Sequence, residues 1–98
     1  MTLRLGILGL SPGNGHPFSF SAIVNGYDDA AFGQAGWPVI HDYLRRRRPD
    51  EFGIGGVRVT HAWTQDPAIT AKLRAAARIE HGVARPEDML GQVDAVLV

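Results

Sequence analysis

The chain of 98 residues contains no cysteine, which excludes a disulfide framework, a thiolate metal site and a cysteine nucleophile. It has no charge excess, because ten basic and ten acidic residues cancel. No global field therefore marks it for nucleic acid or an anionic membrane surface, and neither partner is expected. It lacks any apolar run near the ~20 residues needed to cross a bilayer. A single Arg4 precedes an apolar run broken by Gly6 and Gly9. No small-residue cleavage site follows it, so no secretory signal is read and a cytoplasmic protein is expected. Internal repeats and low-complexity tracts are also missing. His41, His61 and His81 share no short ligand spacing, so no metal site is expected. Nothing in the sequence fixes the separation of Asp28, Asp29 and Asp42, which rules them out as a readable acid–base pair.

What the chain has is glycine, 12 residues of it, and hydrophobic residues at 45%, enough for one small globular unit. The informative stretch is LRLGILGLSPGNGHPFSFSAI, residues 3–23. Leu3, Leu5, Ile7, Leu8 and Leu10 make the near-continuous apolar run of a central parallel strand. Gly9, Gly13 and Gly15 then allow a sharp turn and close approach of a ligand to the main chain. Pro17 suits the first turn of a helix, so free N–H groups around Asn14 to Phe18 are expected to face the turn, where the helix dipole favours an anion. Counted from Gly9, a G-x-G-x-x-G dinucleotide fingerprint finds Ser11 at its second glycine and Asn14 at its third. The match is imperfect, with Gly13 or Gly15 able to serve if the turn differs by a residue.

Beyond this helix, which Asn25 and Gly26 should end, residues 27–56 read as an insertion rich in glycine, aromatics and charge. Tyr27 and Asp28 are read as closing the first helix. Pro38 to Arg47 has a helical pattern, with Val39, Ile40, Tyr43 and Leu44 on one side and Pro49 as its stop. Arg45 to Arg48 form the one block of like charge, which at a helix C-terminus complements the dipole and stays solvated. Val57 to Trp63 alternates as a strand. Asp66 and Pro67 open a helix whose Ile69, Leu73, Ala76 and Ala77 share one face. His81 to Ala84 is a short strand, Arg85 to Gly91 a small helix entered at Pro86, and Val93 to Val98 a buried strand. Because the chain stops inside that strand, it is expected to be the N-terminal piece of a larger protein. Alternating elements predict an α/β fold with a parallel sheet of order 3-2-1-4 and helices on both faces. Ligands of such sheets bind beyond the carboxyl ends of the strands, where the order reverses beside the first strand.

The segments GILGLSPGNGHPFSFSAIVNGYD, VRVTHAWTQDP and PEDMLGQVDAVLV together resemble the N-terminal NAD(P)-binding domain of the Gfo/Idh/MocA oxidoreductases. The resemblance implies a three-layer, Rossmann-like domain that binds NAD or NADP. It also implies a parent enzyme acting on a sugar, inositol or related polyol, a C-terminal substrate domain absent from this chain, and a homo-oligomer. The family's catalytic lysine lies after the fifth strand, beyond Val98, so no catalytic residue is carried over.

The residues expected to hold the cofactor are Gly9, Ser11, Gly13, Asn14 and Gly15 at the pyrophosphate, with His16 at the helix entrance. His16 either contacts the ligand or caps the turn. Thr64 and Gln65 stand where an acidic residue usually clamps the adenosine ribose, and can hydrogen-bond a ribose or a 2′-phosphate, which leaves NAD and NADP both open. The alternative is a non-catalytic Rossmann-like binding or interaction module. His61 and Trp63 are read as packing residues.

Overall fold

The computed structural model describes residues 2–10 and 13–98. Four parallel strands form one sheet in the order β3-β2-β1-β4. The strands are β1, Leu3–Leu8, β2, Val57–Trp63, β3, His81–Gly82, and β4, Ala95–Leu97. This is the α/β, Rossmann-like arrangement that the alternating pattern predicts. The sheet is built around β1, which strands flank on both edges and whose Leu5, Gly6 and Ile7 are buried.

Helix α1, His16–Asn25, follows the glycine turn, carries Pro17 in its first turn and ends at Gly26, whose φ of 80° is open to glycine at little cost. Helix α4, Pro67–Ala77, starts as the sequence requires: the Asp66 carboxylate accepts from the Ala68 N–H at 2.9 Å. Both helices lie on one face of the sheet, where Phe18, Ala22, Leu73, Ala76 and Ala77 join Leu5, Ile7, Val59 and Ala62 in one core. Asn25 fastens them. Its amide nitrogen donates to the carbonyls of Val59 and Ala77 at 2.9 and 3.0 Å, and its oxygen accepts from the Val59 N–H at 2.9 Å.

The insertion packs on this same face. Asp28 does not close α1. Its carboxylate accepts from the Ala31 N–H and so opens a further short helix, α2, Asp29–Gly33. The local signal was an N-cap, and reading it with Tyr27 as an ending placed it on the wrong side of the boundary. Phe32 and Leu44 are completely buried. Helix α3, Pro38–Arg45, stops two residues short of its predicted end. Of its apolar side Leu44 is buried, whereas Val39 is 82% exposed.

The opposite face has only the single 3-10 turn Pro86–Met89 where a small helix to Gly91 was expected. Side chains alternate along a strand. With Leu5 and Ile7 in the core, Gly6 faces the other way, and its missing side chain leaves the room that Met89 fills. Strand pairing skips Thr60 between Leu5↔Val59 and Gly6↔His61. This irregularity brings Val59 and Ala62 into the same core and turns His61 toward the thin face, where it packs against His81 at 4.7 Å. The last strand is shorter and less buried than its composition predicts: Val96 is 42% exposed. β4 has β1 on one edge only, and the thin face offers it little cover.

Candidate functional site

The carboxyl ends of β1 and β4 open into a cleft of about 170 Å³. Ile7, Gly9, Leu10, Asn14, His16, Phe20 and Leu97 are among the residues that line it. The place is the one expected from topology, beside the strand at which the order reverses. Among the described residues no carboxylate or guanidinium side chain lines it. Any anion there would rest on backbone amides and on His16.

Each glycine of the turn has its own reason. Gly13 adopts φ +75°, and among the described residues nothing lies within 4 Å of where a Cβ would sit, which leaves open space over it. A Cβ on Gly9 would come within 3.0 Å of Pro17 Cγ. Gly15 is buried, and a Cβ there would run into Ile40 Cδ1 and lie 2.8 Å from the Trp37 ring. Its smallness admits the insertion and not a ligand. Ser11 lies outside the described residues.

The amides at the start of α1 are less available than the dipole argument expects. Asn14 Oδ1 accepts from the His16 N–H at 3.0 Å, Pro17 has no N–H, and the Phe18 N–H donates to the Gly15 carbonyl at 2.9 Å. Asn14 thus closes a local turn just before the helix, whose N-cap is Gly15. His16 is exposed and stacks on Phe20, ring centroids 5.0 Å apart and planes within 8°. The amides of Gly13, Asn14 and Gly15 have no protein acceptor among the described residues.

At the end of β2 the two ribose candidates part company. Thr64 is 3% exposed. Its hydroxyl donates to the Asp66 carbonyl at 2.7 Å and lies 2.8 Å from Thr70 Oγ1, so it serves the entry to α4 and does not face the cleft. Gln65 is exposed and reaches the glycine turn: its Oε1 accepts from the Leu10 N–H at 2.5 Å, which leaves the amide nitrogen to donate.

The structure therefore places Gly9, Asn14 and His16 on the strand-end cleft, Gly13 in an adjoining hollow with Trp37 and Ile40, and Gln65 against the Leu10 amide, while Gly15 serves packing and Thr64 turns inward. Phe20, Leu97, Trp37 and Ile40 border the turn as well. Helical periodicity points to Phe20, one turn after His16. Trp37 and Ile40 come from the insertion, and no local signal ties them to residues 13–16. No protein-family model, curated protein or solved structure matches the chain. The site must be read from its own chemistry.

The amides from Gly13 to Gly15, without a protein acceptor among the described residues, and the open space over Gly13 can receive an anion. The acidic clamp for a ribose diol has no counterpart in Thr64 or Gln65.

Proposed function

We propose that the chain is the cofactor-binding portion of a nicotinamide-dependent oxidoreductase, acting in its parent protein on a sugar, inositol or related polyol. The observation that supports the cofactor is the cleft at the carboxyl ends of β1 and β4, bordered by a glycine turn with open space over Gly13. The substrate class rests on the sequence resemblance. Gly9, Gly13 and Asn14 would receive the pyrophosphate through the main chain, His16 would meet the ligand at the mouth, and the Gln65 amide would donate to a ribose hydroxyl or a 2′-phosphate. The nicotinamide supplies hydride transfer when bound. This chain's part is to orient the cofactor and keep water from the strand ends with Ile7, Phe20 and Leu97.

Calorimetry of NAD(H) and NADP(H) binding to the chain tests this reading, with Gly13→Asn as the variant. Asparagine tolerates a positive φ, so the fold should survive while the side chain fills the open space. Binding of one cofactor, weakened ~10-fold or more in Gly13→Asn by loss of one to two charge-assisted hydrogen bonds, is the expected result. Equal binding by both proteins would remove the turn from the site.

A second reading has its own support. With the His16 amide held by Asn14 and Thr64 turned inward, the chain suits a Rossmann-like module without tight dinucleotide recognition. Hydride transfer to any sugar by a protein containing this chain would dispose of that alternative.

A further inference from the structure

Eight of the nine arginines in the chain have a hydrogen-bond or ion-pair partner among the described residues. The block Arg45 to Arg48 is fully occupied, by Asp29, Asp42, Glu51 and Asp50 in turn. Arg78 is the exception: its carbonyl accepts from Arg58, but its guanidinium has no partner among the described residues.

Arg78 also holds the single positive φ of a non-glycine residue among the described residues, φ 55° and ψ 45° at the C-cap of α4. Glycine is the usual occupant of such a cap, and another residue there costs ~1 kcal/mol or more. The exposed guanidinium complements the C-terminal dipole of α4 and keeps its donors free of any protein acceptor among the described residues.

The guanidinium lies over Gly26, Nη1 at 3.6 Å from where a Cβ would be, in a groove of about 300 Å³ at the C-terminal ends of α1 and α4. This is the opposite end of α1 from the glycine turn, ~15 Å away for ten residues of helix. Tyr27, Asp29, Arg47 and Phe52 line the groove. Tyr27 and Phe52 meet edge to face at 5.3 Å and form a rigid apolar wall. The Tyr27 hydroxyl has no protein partner among the described residues. Burial foremost, then the Asp29 carboxylate, raises it above its usual 10.0 against a smaller pull from Arg45, so it remains a donor at neutral pH. Arg47 bonds Glu51 through Nε at 2.7 Å, which leaves its outer nitrogens to donate. The Asp29 carboxylate meets His41 Nε2 at 2.7 Å and the Arg45 guanidinium at 3.6 Å.

We propose that this groove is an oxyanion site, separate from the strand-end cleft, that takes a phosphate group between the guanidiniums of Arg78 and Arg47 and the Tyr27 hydroxyl. Two forks and a phenol match the several acceptor oxygens of a phosphate. The aromatic wall leaves room for the organic part of a small phosphomonoester.

The test is an amide-resolved NMR titration of the whole chain with inorganic phosphate, repeated with phenyl phosphate, for wild type, Arg78→Gly and Arg78→Asn. Both substitutions suit the backbone conformation of residue 78, and either one that folds suffices. Saturable shifts at Gly26, Tyr27 and residue 78 are expected in the wild type. Both variants should weaken them ~10-fold or more, the loss of one bond to a charged group, while any response at Gly13 to Gly15 is unchanged. A wild type that responds at Gly13 to Gly15 alone, or variants that titrate like the wild type at Gly26, would overturn the site. Tighter binding of phenyl phosphate than of inorganic phosphate would assign the aromatic wall to the ligand's organic part. Because the strand-end cleft is read separately at Gly13 to Gly15, failure of one site leaves the other to be judged on its own signals.

Discussion

The two faces of the sheet are built from the same strands and end in opposite conditions. One is covered by α1, α2 and α4, and holds Phe18, Phe32, Leu44 and Leu73 completely out of water. The other is covered at Met89 and leaves His61, His81 and Val96 partly in solvent. Apolar composition alone did not decide which strand residues are buried, since β4 is as apolar as β1. Partners on the face decided it. Burial is a property of a strand and its cover together.

Substitutions that separate the faces should rank by cover. Phe18→Ala, deep on the thick face, should cost ~3–5 kcal/mol in urea unfolding, by lost burial and the cavity left behind. Asn25→Ala, on the same face but polar, should cost ~2–4 kcal/mol, because three hydrogen bonds go and the amide and carbonyl of Val59 lose partners. On the thin face Gly6→Ala would press on Met89 Sδ and should cost ~1–2 kcal/mol; pairing it with Met89→Ala should recover part of that loss, which a double-mutant cycle would read. A cost for Gly6→Ala equal to that of Phe18→Ala would erase the distinction between the faces.

The smallest effect is a pH dependence confined to the thin face. Burial foremost, then the neighbouring His81 and Arg4 charges, holds His61 below its usual 6.5, against an opposing pull from Glu80. The unfolded chain therefore takes up this proton at higher pH than the folded one does. Stability contributed by neutral His61 is present above about pH 6.5 and falls as pH drops below it. Thermal unfolding at pH 7.5 and 5.5 should show a drop in wild type that His61→Gln reduces. An identical drop in the variant would assign the effect to other groups.

The parts of this fold that short sequence patterns encode were legible. β2 runs from Val57 to Trp63 and α4 opens at Asp66 and Pro67, both as their alternation and capping residues state. The strand order followed from alternation of elements. Three things were out of reach because they depend on contacts across the chain. The skip at Thr60 is set by pairing with β1. The inward turn of Thr64 is set by Thr70, one helical turn into α4. The packing role of Gly15 is set by Trp37 and Ile40 from the insertion. At the candidate site the glycine turn was legible as a place, whereas the occupancy of its amides by Asn14 and Gly15 was not.

Asn25 carries a further consequence. One side chain supplies both partners of the Val59 main chain and also holds the end of α4. The Val59 amide proton can therefore exchange with solvent only when the last turn of α1 lifts from β2. Its exchange rate is a clock for helix docking, read at a residue of the sheet. An amide in the middle of β1 has no such dependence on a single helix residue. The difference between the two rates would separate opening of α1 from opening of the whole molecule.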